Sequence, residues 1–213
     1  IGGVASGRVP PGNRQGDPIT SWFNPTSVVF GLVALTATAF LAAAFLVSDA
    51  RRFGAPDLEI WFRRRAITSA GLLLLVMGVG LLVVRQDATR LYDGLTSGWG
   101  LAFAVLAVVA TLVTALLLSR MVLRGTRLAA IAVLASLVLA WGFAQRPYAL
   151  PTTLTIDQAG GDPDTMRWLI VVTVVAVLLV GPALALLYRL DAAERLVADQ
   201  DEDLTATPTS GHT

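Results

Sequence analysis

The sequence predicts an all-α fold, a polytopic transmembrane helical bundle with five spanning helices. Three observations carry that prediction. Five long apolar stretches, at about 26–48, 66–84, 99–119, 128–145 and 168–188, hold no charged residue. Most of them match the ~20 residues that a helix needs to cross a bilayer. The chain is 55% hydrophobic with a mean hydropathy of +0.69, well above a soluble domain. A soluble helical core has no need of so many separate charge-free runs.

Residues 1–23 carry no signal-peptide pattern. The apolar, small-residue start Ile1–Ser6 reads as the interior of a longer membrane protein, so 1–23 is expected to be an outward-facing segment after a truncated upstream region. The membrane region is expected over 24–190. The fourth stretch is the shortest; continuing it to Gln145, or starting it at Thr126, completes a span. Within it Ala132, Ser136, Ala140 and Ala144 recur every four positions, a stripe that allows close helix approach in lipid, although Ala is frequent throughout. In the fifth, Pro182 removes a helical hydrogen bond and predicts a bend at Gly181–Pro182. From about 191 to 213 the chain turns acidic, then Thr/Ser-rich, and reads as a disordered cytoplasmic tail.

All the basic residues are Arg. One set lies in 49–65 (Arg51, Arg52, Arg63, Arg64, Arg65), in 120–127 (Arg120, Arg124, Arg127) and in the tail (Arg189, Arg195). The smaller set is Arg8, Arg14, Arg85, Arg90, Arg146 and Arg167. The positive-inside rule therefore places 49–65, 120–127 and the C-terminus in the cytoplasm, with 1–23, 85–98 and 146–167 outside. The Arg63–Arg65 cluster suits anionic headgroups, but setting topology is its default role. A net charge of only +1 leaves no basic face for nucleic acid.

The inventory of reactive groups is thin. Without Cys there are no disulfides and no thiolate ligands. The sole His is His212, in the tail, and Met77, Met121 and Met166 are scattered, so haem or metal ligation is not expected here. Ser6 and Ser48 have no histidine for a triad. Gly78-Val79-Gly80 lies inside a span and is no nucleotide fingerprint. The hydroxyls at depth, including Thr36, Thr38, Thr111, Thr114 and Thr173, are expected to bond back to their own helices rather than form a proton path. Asp49, Asp87 and Asp93 are expected to be solvated.

Two outward segments combine Pro with interfacial aromatics: Gly7 to Asn13 followed by Ser21-Trp22-Phe23-Asn24-Pro25, and Trp141 to Pro151. Interfacial anchoring and specific partner contact both fit them. In the second, Pro147 and Pro151 restrict the chain, Trp141 and Tyr148 offer broad contacts, and Gln145 is placed to satisfy helix-terminal carbonyls or, alternatively, to touch quinone or a buried water.

These segments, read with the Arg-rich connection, resemble the C-terminal half of subunit II of the cytochrome bd quinol oxidase family, in its high-GC bacterial style. The matching pieces are Gly7-Arg8-Val9-Pro10-Pro11-Gly12-Asn13, then Trp22-Phe23-Asn24-Pro25, Tyr92-Asp93-Gly94-Leu95, Trp141 through Tyr148, Leu150-Pro151 to Leu154-Thr155-Ile156, and Pro182 to Leu190. The resemblance implies a haem-free structural subunit in a bacterial cell-membrane complex that oxidises quinol and reduces dioxygen to water. Its partner, subunit I, would carry haems b and d. Membrane lipids would surround it, quinone would lie nearby, and no cofactor would bind this portion directly. The residues carried over as signature or structural contacts are Arg8, Asn13, Trp22, Trp141, Gln145, Pro147, Tyr148 and Pro151, with no catalytic residue among them. The rivals are a transporter-like bundle, which would want polar groups or broken helices at mid-depth, and a purely structural membrane protein.

Overall fold

A computed structural model describes residues 2–8, 17, 19–122, 125–150, 154–155 and 163–206. The chain forms two compact units, Ile1–Ala159 and Gly160–Thr213. Five helices are long and apolar enough to cross a membrane, four in the first unit and one in the second. The predicted class therefore holds.

In the first unit a short helix α1 (Gly2–Ala5) precedes α2 (Pro25–Arg52). Asn24 caps α2, its side chain accepting the Ser27 N–H at 2.8 Å, and Pro25 supplies a pre-set backbone in the first turn. After Arg52 the chain reverses within three residues, because Gly54 takes φ +64° and the Ala55 N–H closes back on the Ala50 carbonyl. Helix α3 (Pro56–Asp87) then begins ten residues before the apolar run that signals it. Residues 56–65 were expected in a connection. Charge interrupts hydropathy but not helicity: Pro56 starts the helix and Asp57 and Glu59 favour its N-terminus. The Arg65 guanidinium also covers the Trp61 ring at 3.1 Å, one turn away.

Helix α4 (Thr89–Leu95) leads to α5 (Gly98–Ser119) and α6 (Thr126–Gln145). The β structure among the described residues is one antiparallel pair, β1 (Tyr148–Leu150) with β2 (Leu154–Thr155), in which Tyr148 faces Thr155. Helices α2 with α3, and α5 with α6, form the closest packed pairs.

Small residues dominate the main core: Ala37, Ala43, Ala44, Ala66, Ala70, Ala110 and Ala130 join Phe40, Val47, Leu73, Leu118 and Val133. Ser136, Ala140 and Ala144 of the predicted stripe are buried, whereas Ala132 is partly buried against this core. The hydroxyls behave as expected. Thr36, Thr38, Thr111 and Thr114 donate to the carbonyls of Leu32, Ala34, Ala107 and Ala110 at 2.7–2.8 Å.

Two acids expected to be solvated are paired instead. Asp49 bonds Arg127, and Arg51 donates to the Met121 carbonyl at 3.2 Å, so the end of α2 is tied to the α5–α6 connection. Asp87 is engaged at the opposite end of α3, as described below. In the second unit, α7 (Pro163–Ala206) carries Pro182 in its interior, and Thr173 donates to the Leu169 carbonyl at 2.7 Å. Helical backbone continues past residue 190, where Ala192, Ala193, Glu194, Arg195 and Leu196 are good helix formers.

Candidate functional site

Sequence-distant elements of the first unit converge at the end where α2 starts and α3 and α6 finish. Ala5, Val84, Ala88, Leu91 and Ala144 form a second core there, with Phe30, Tyr92, Leu95 and Trp141 packed on it. Two glycines set its spacing. A Cβ on Gly94 would stand 2.3 Å from the Ala144 carbonyl oxygen, and one on Gly100 would stand 2.1 Å from the Gly94 oxygen. Backbone therefore meets backbone where α4, α5 and α6 join, and no side chain fits between them. Phe103 and Phe143 stack at 5.2 Å beside this joint, with Trp99 about 6.3 Å from Phe143.

Polar anchors hold the N-terminal segment to the same end. The Asp87 carboxylate accepts the Thr26 N–H at 3.1 Å and the Thr26 hydroxyl at 2.6 Å, and it pairs with Arg8. Its side chain is 9% exposed. The Asn24 amide donates to the Ser6 hydroxyl at 3.2 Å, and the Ser21 hydroxyl donates to the Arg8 carbonyl at 3.4 Å. Farther out, Asp17 accepts the N–H groups of Ile19 and Thr20, which holds its carboxyl below the usual range.

Between α4 and the end of α6 opens a cleft of about 170 Å³. Its polar lining comprises Arg90, Asp93, Ser97, Gln145, Arg146 and Tyr148. The Arg90 guanidinium lies 4.4 Å from the Tyr148 ring centre, and the Ser97 hydroxyl donates to the Asp93 carbonyl at 2.6 Å. Both amide atoms of Gln145 are shielded from solvent, yet neither has a hydrogen-bond partner; the Trp141 indole N–H is in the same condition.

The sequence-selected residues divide accordingly. Gln145, Pro147 and Tyr148 line the cleft, and Trp141 packs beneath it. Arg8 belongs to the Asp87 anchor. Trp22 is 61% exposed, with its ring edge against Gly3. Asn13 and Pro151 lie outside the described residues. One expected role is corrected: Gln145 does not satisfy the helix-terminal carbonyls. The Arg146 N–H turns back to the Phe143 carbonyl at 3.3 Å instead, and the Gln145 amide is left beside the cleft.

Thr26 and Gly100 were not singled out from sequence, and Asn24, Asp87 and Arg90 were named there without an anchoring or cleft-lining role. The Asn24-Pro25 pair is a legible helix-start signal. Nothing local announces Asp87 or Gly100. The arrangement can bind polar groups through paired charge and an amide. Among the described residues, no group of three His, Cys, Asp or Glu side chains gathers to hold a metal.

A family model described as cytochrome bd terminal oxidase subunit II matches residues 1–191. No curated protein and no solved structure gives a significant match to the chain.

Proposed function

We infer, from the premise that the chain belongs to the cytochrome bd terminal oxidase subunit II family, that it is the haem-free structural portion of a bd-type quinol:dioxygen oxidoreductase. In this reading it supports a haem-bearing partner subunit, which oxidises quinol and reduces dioxygen to water. The carrying observation is the extent of the match, which takes in all five candidate spans.

The residues present do not fit a haem. Protein ligation draws on His, Cys, Met or Tyr. The chain lacks Cys, and its one His, His212, lies outside the described residues. The described candidates are scattered and otherwise placed: Met77 packs against the main core, Met121 sits on a turn, 46% exposed, Met166 belongs to α7, Tyr92 packs on the second core and Tyr148 lies beneath Arg90. What the chain contributes is scaffold. Its helices join through Ala, Gly and hydroxyl faces, which leaves Leu and Val outward for lipid and for the partner subunit.

Purification of the full-length protein from native membranes tests the assignment. A haem spectrum should co-purify with the partner and stay with the partner when the subunits are separated. Haem held tightly by this chain alone would overturn the haem-free role.

For orientation, we place the C-terminus in the cytoplasm of a bacterial cell, on the Arg asymmetry between connections. Residues 1–213 hold no Cys, so each substitution introduces the single thiol of this segment. Phe53→Cys, at a residue 66% exposed, should label from the cytoplasmic side, and Thr20→Cys from outside. Reversed labelling would invert the topology.

A further inference from the structure

We propose that the cleft between α4 and the end of α6 binds a phosphodiester lipid headgroup that carries its own hydrogen-bond donor, such as glycerol hydroxyls or an ammonium. The proposal rests on the reading of this chain as a membrane subunit, and not on which subunit holds haem.

Position comes first. Gln145 ends one apolar span and Gly98 begins another, so the cleft opens at the boundary of the apolar layer. Trp99, Trp141, Tyr92 and Tyr148 surround that level, and such rings favour the headgroup region. Charge comes second. Arg90 and Arg146 line the cleft with Asp93 as its single acid. A phosphodiester anion answers the guanidiniums, and a hydroxyl or ammonium answers the carboxylate.

Gln145 decides the chemistry of the occupant. Its Nε2 needs an acceptor and its Oε1 needs a donor, and both atoms are shielded from solvent without either. Leaving both bonds unmade in a shielded amide is costly. An acyl chain satisfies neither atom, and a bare phosphodiester satisfies only the first. A headgroup with both functions satisfies the pair once the amide turns into the cleft. The cleft of about 170 Å³ has room for a compact polar group. A neutral quinone ring would leave the cleft's excess positive charge, two guanidiniums against one carboxylate, without a counter-charge.

The test uses the detergent-solubilised oxidase complex, washed and then exchanged into nanodiscs of phosphatidylcholine alone or with one-tenth phosphatidylglycerol or phosphatidylethanolamine. Retained lipid is counted by mass spectrometry, and thermal midpoints are recorded. Wild type should retain one donor-bearing lipid more per complex than Gln145→Leu, and it should be stabilised by that lipid over phosphatidylcholine. Arg146→Gln alters an exposed side chain. It should weaken retention at least tenfold even if Gln145→Leu fails to assemble. Arg65→Gln, on α3, should behave as wild type. Inorganic phosphate at millimolar concentration should give no shift. The proposal is overturned by equal retention in wild type and Arg146→Gln. It is also overturned by equal stabilisation with phosphatidylcholine, by phosphate reproducing the shift, or by quinone as the molecule lost from the variants. A wild-type preparation that retains the lipid but carries no haem spectrum would count against the subunit reading instead.

Discussion

Substitution of Gly94 by Ala tests the backbone-to-backbone joint directly. The added Cβ would lie 2.3 Å from the Ala144 oxygen, 2.8 Å from its Cα and 2.9 Å from its carbonyl carbon. Comfortable carbon contacts begin near 3.5 Å, so α4 and α6 must separate by about 1 Å. All three opposing atoms are backbone, and no side-chain rotation relieves them. Overpacking of this kind costs about 1–3 kcal/mol. For a chain of this size that corresponds to a fall of roughly 2–12 °C in thermal midpoint. Gly78 supplies the control. It lies inside α3 with nothing within 4 Å of an added Cβ. Gly78→Ala should gain up to about 1 kcal/mol of helix propensity. The assay is the thermal midpoint of the purified complex, with headgroup-cleft lipid held constant. If Gly94→Ala and Gly78→Ala shift it equally, the joint is not as tight as described and the reasoning fails.

Further outcomes follow from the anchors. Asp87→Asn should destabilise by about 1.5–3 kcal/mol, the range for bonds to a charged group, whereas Asp57→Asn on an exposed first turn should cost under about 1 kcal/mol; denaturation of the two variants distinguishes them. Arg127→Gln breaks the Asp49 pair, but with 43% and 40% of the side chains exposed it should change stability by no more than about 1 kcal/mol on the same measurement. Trp141→Ala and Gln145→Ala should lower subunit retention on purification more than Thr36→Ala, whose hydroxyl bonds only within its own helix. Trp141→Phe should retain the partner almost as well as wild type, because the indole N–H it deletes makes no bond.

The spans were legible because apolar runs long enough to cross lipid leave few alternatives, and the α6 stripe because helical spacing puts Ser136, Ala140 and Ala144 on one face. The start of α3 was hidden because hydropathy reports where lipid is, not where hydrogen bonding continues. Asp87 and Asp49 looked solvated because their partners are distant in sequence: Arg8 is 79 positions from Asp87, Thr26 is 61, and Arg127 is 78 from Asp49. No local pattern encodes such pairings. The aromatic and proline signature drew attention to Gln145 and Tyr148, both of which line the cleft. It gave no sign that Arg90 would lie over Tyr148, or that the Gln145 amide would remain unbonded.

Small residues dominate the inside of the first unit, around a few large ones such as Phe40, Leu73 and Leu118, and many large apolar residues face outward. That arrangement uncouples the two quantities by which membrane sequences are usually compared. Ala66 is fully enclosed, and replacing it with Leu would keep the segment greasy while forcing two helices apart. Leu75 is 61% exposed, and replacing it with Ala would make the segment less oily while disturbing helix packing far less. Lineages drifting at constant oiliness can therefore lose the assembly, and lineages drifting in oiliness can keep it. Steric bulk along the enclosed faces is the trait that selection has to watch.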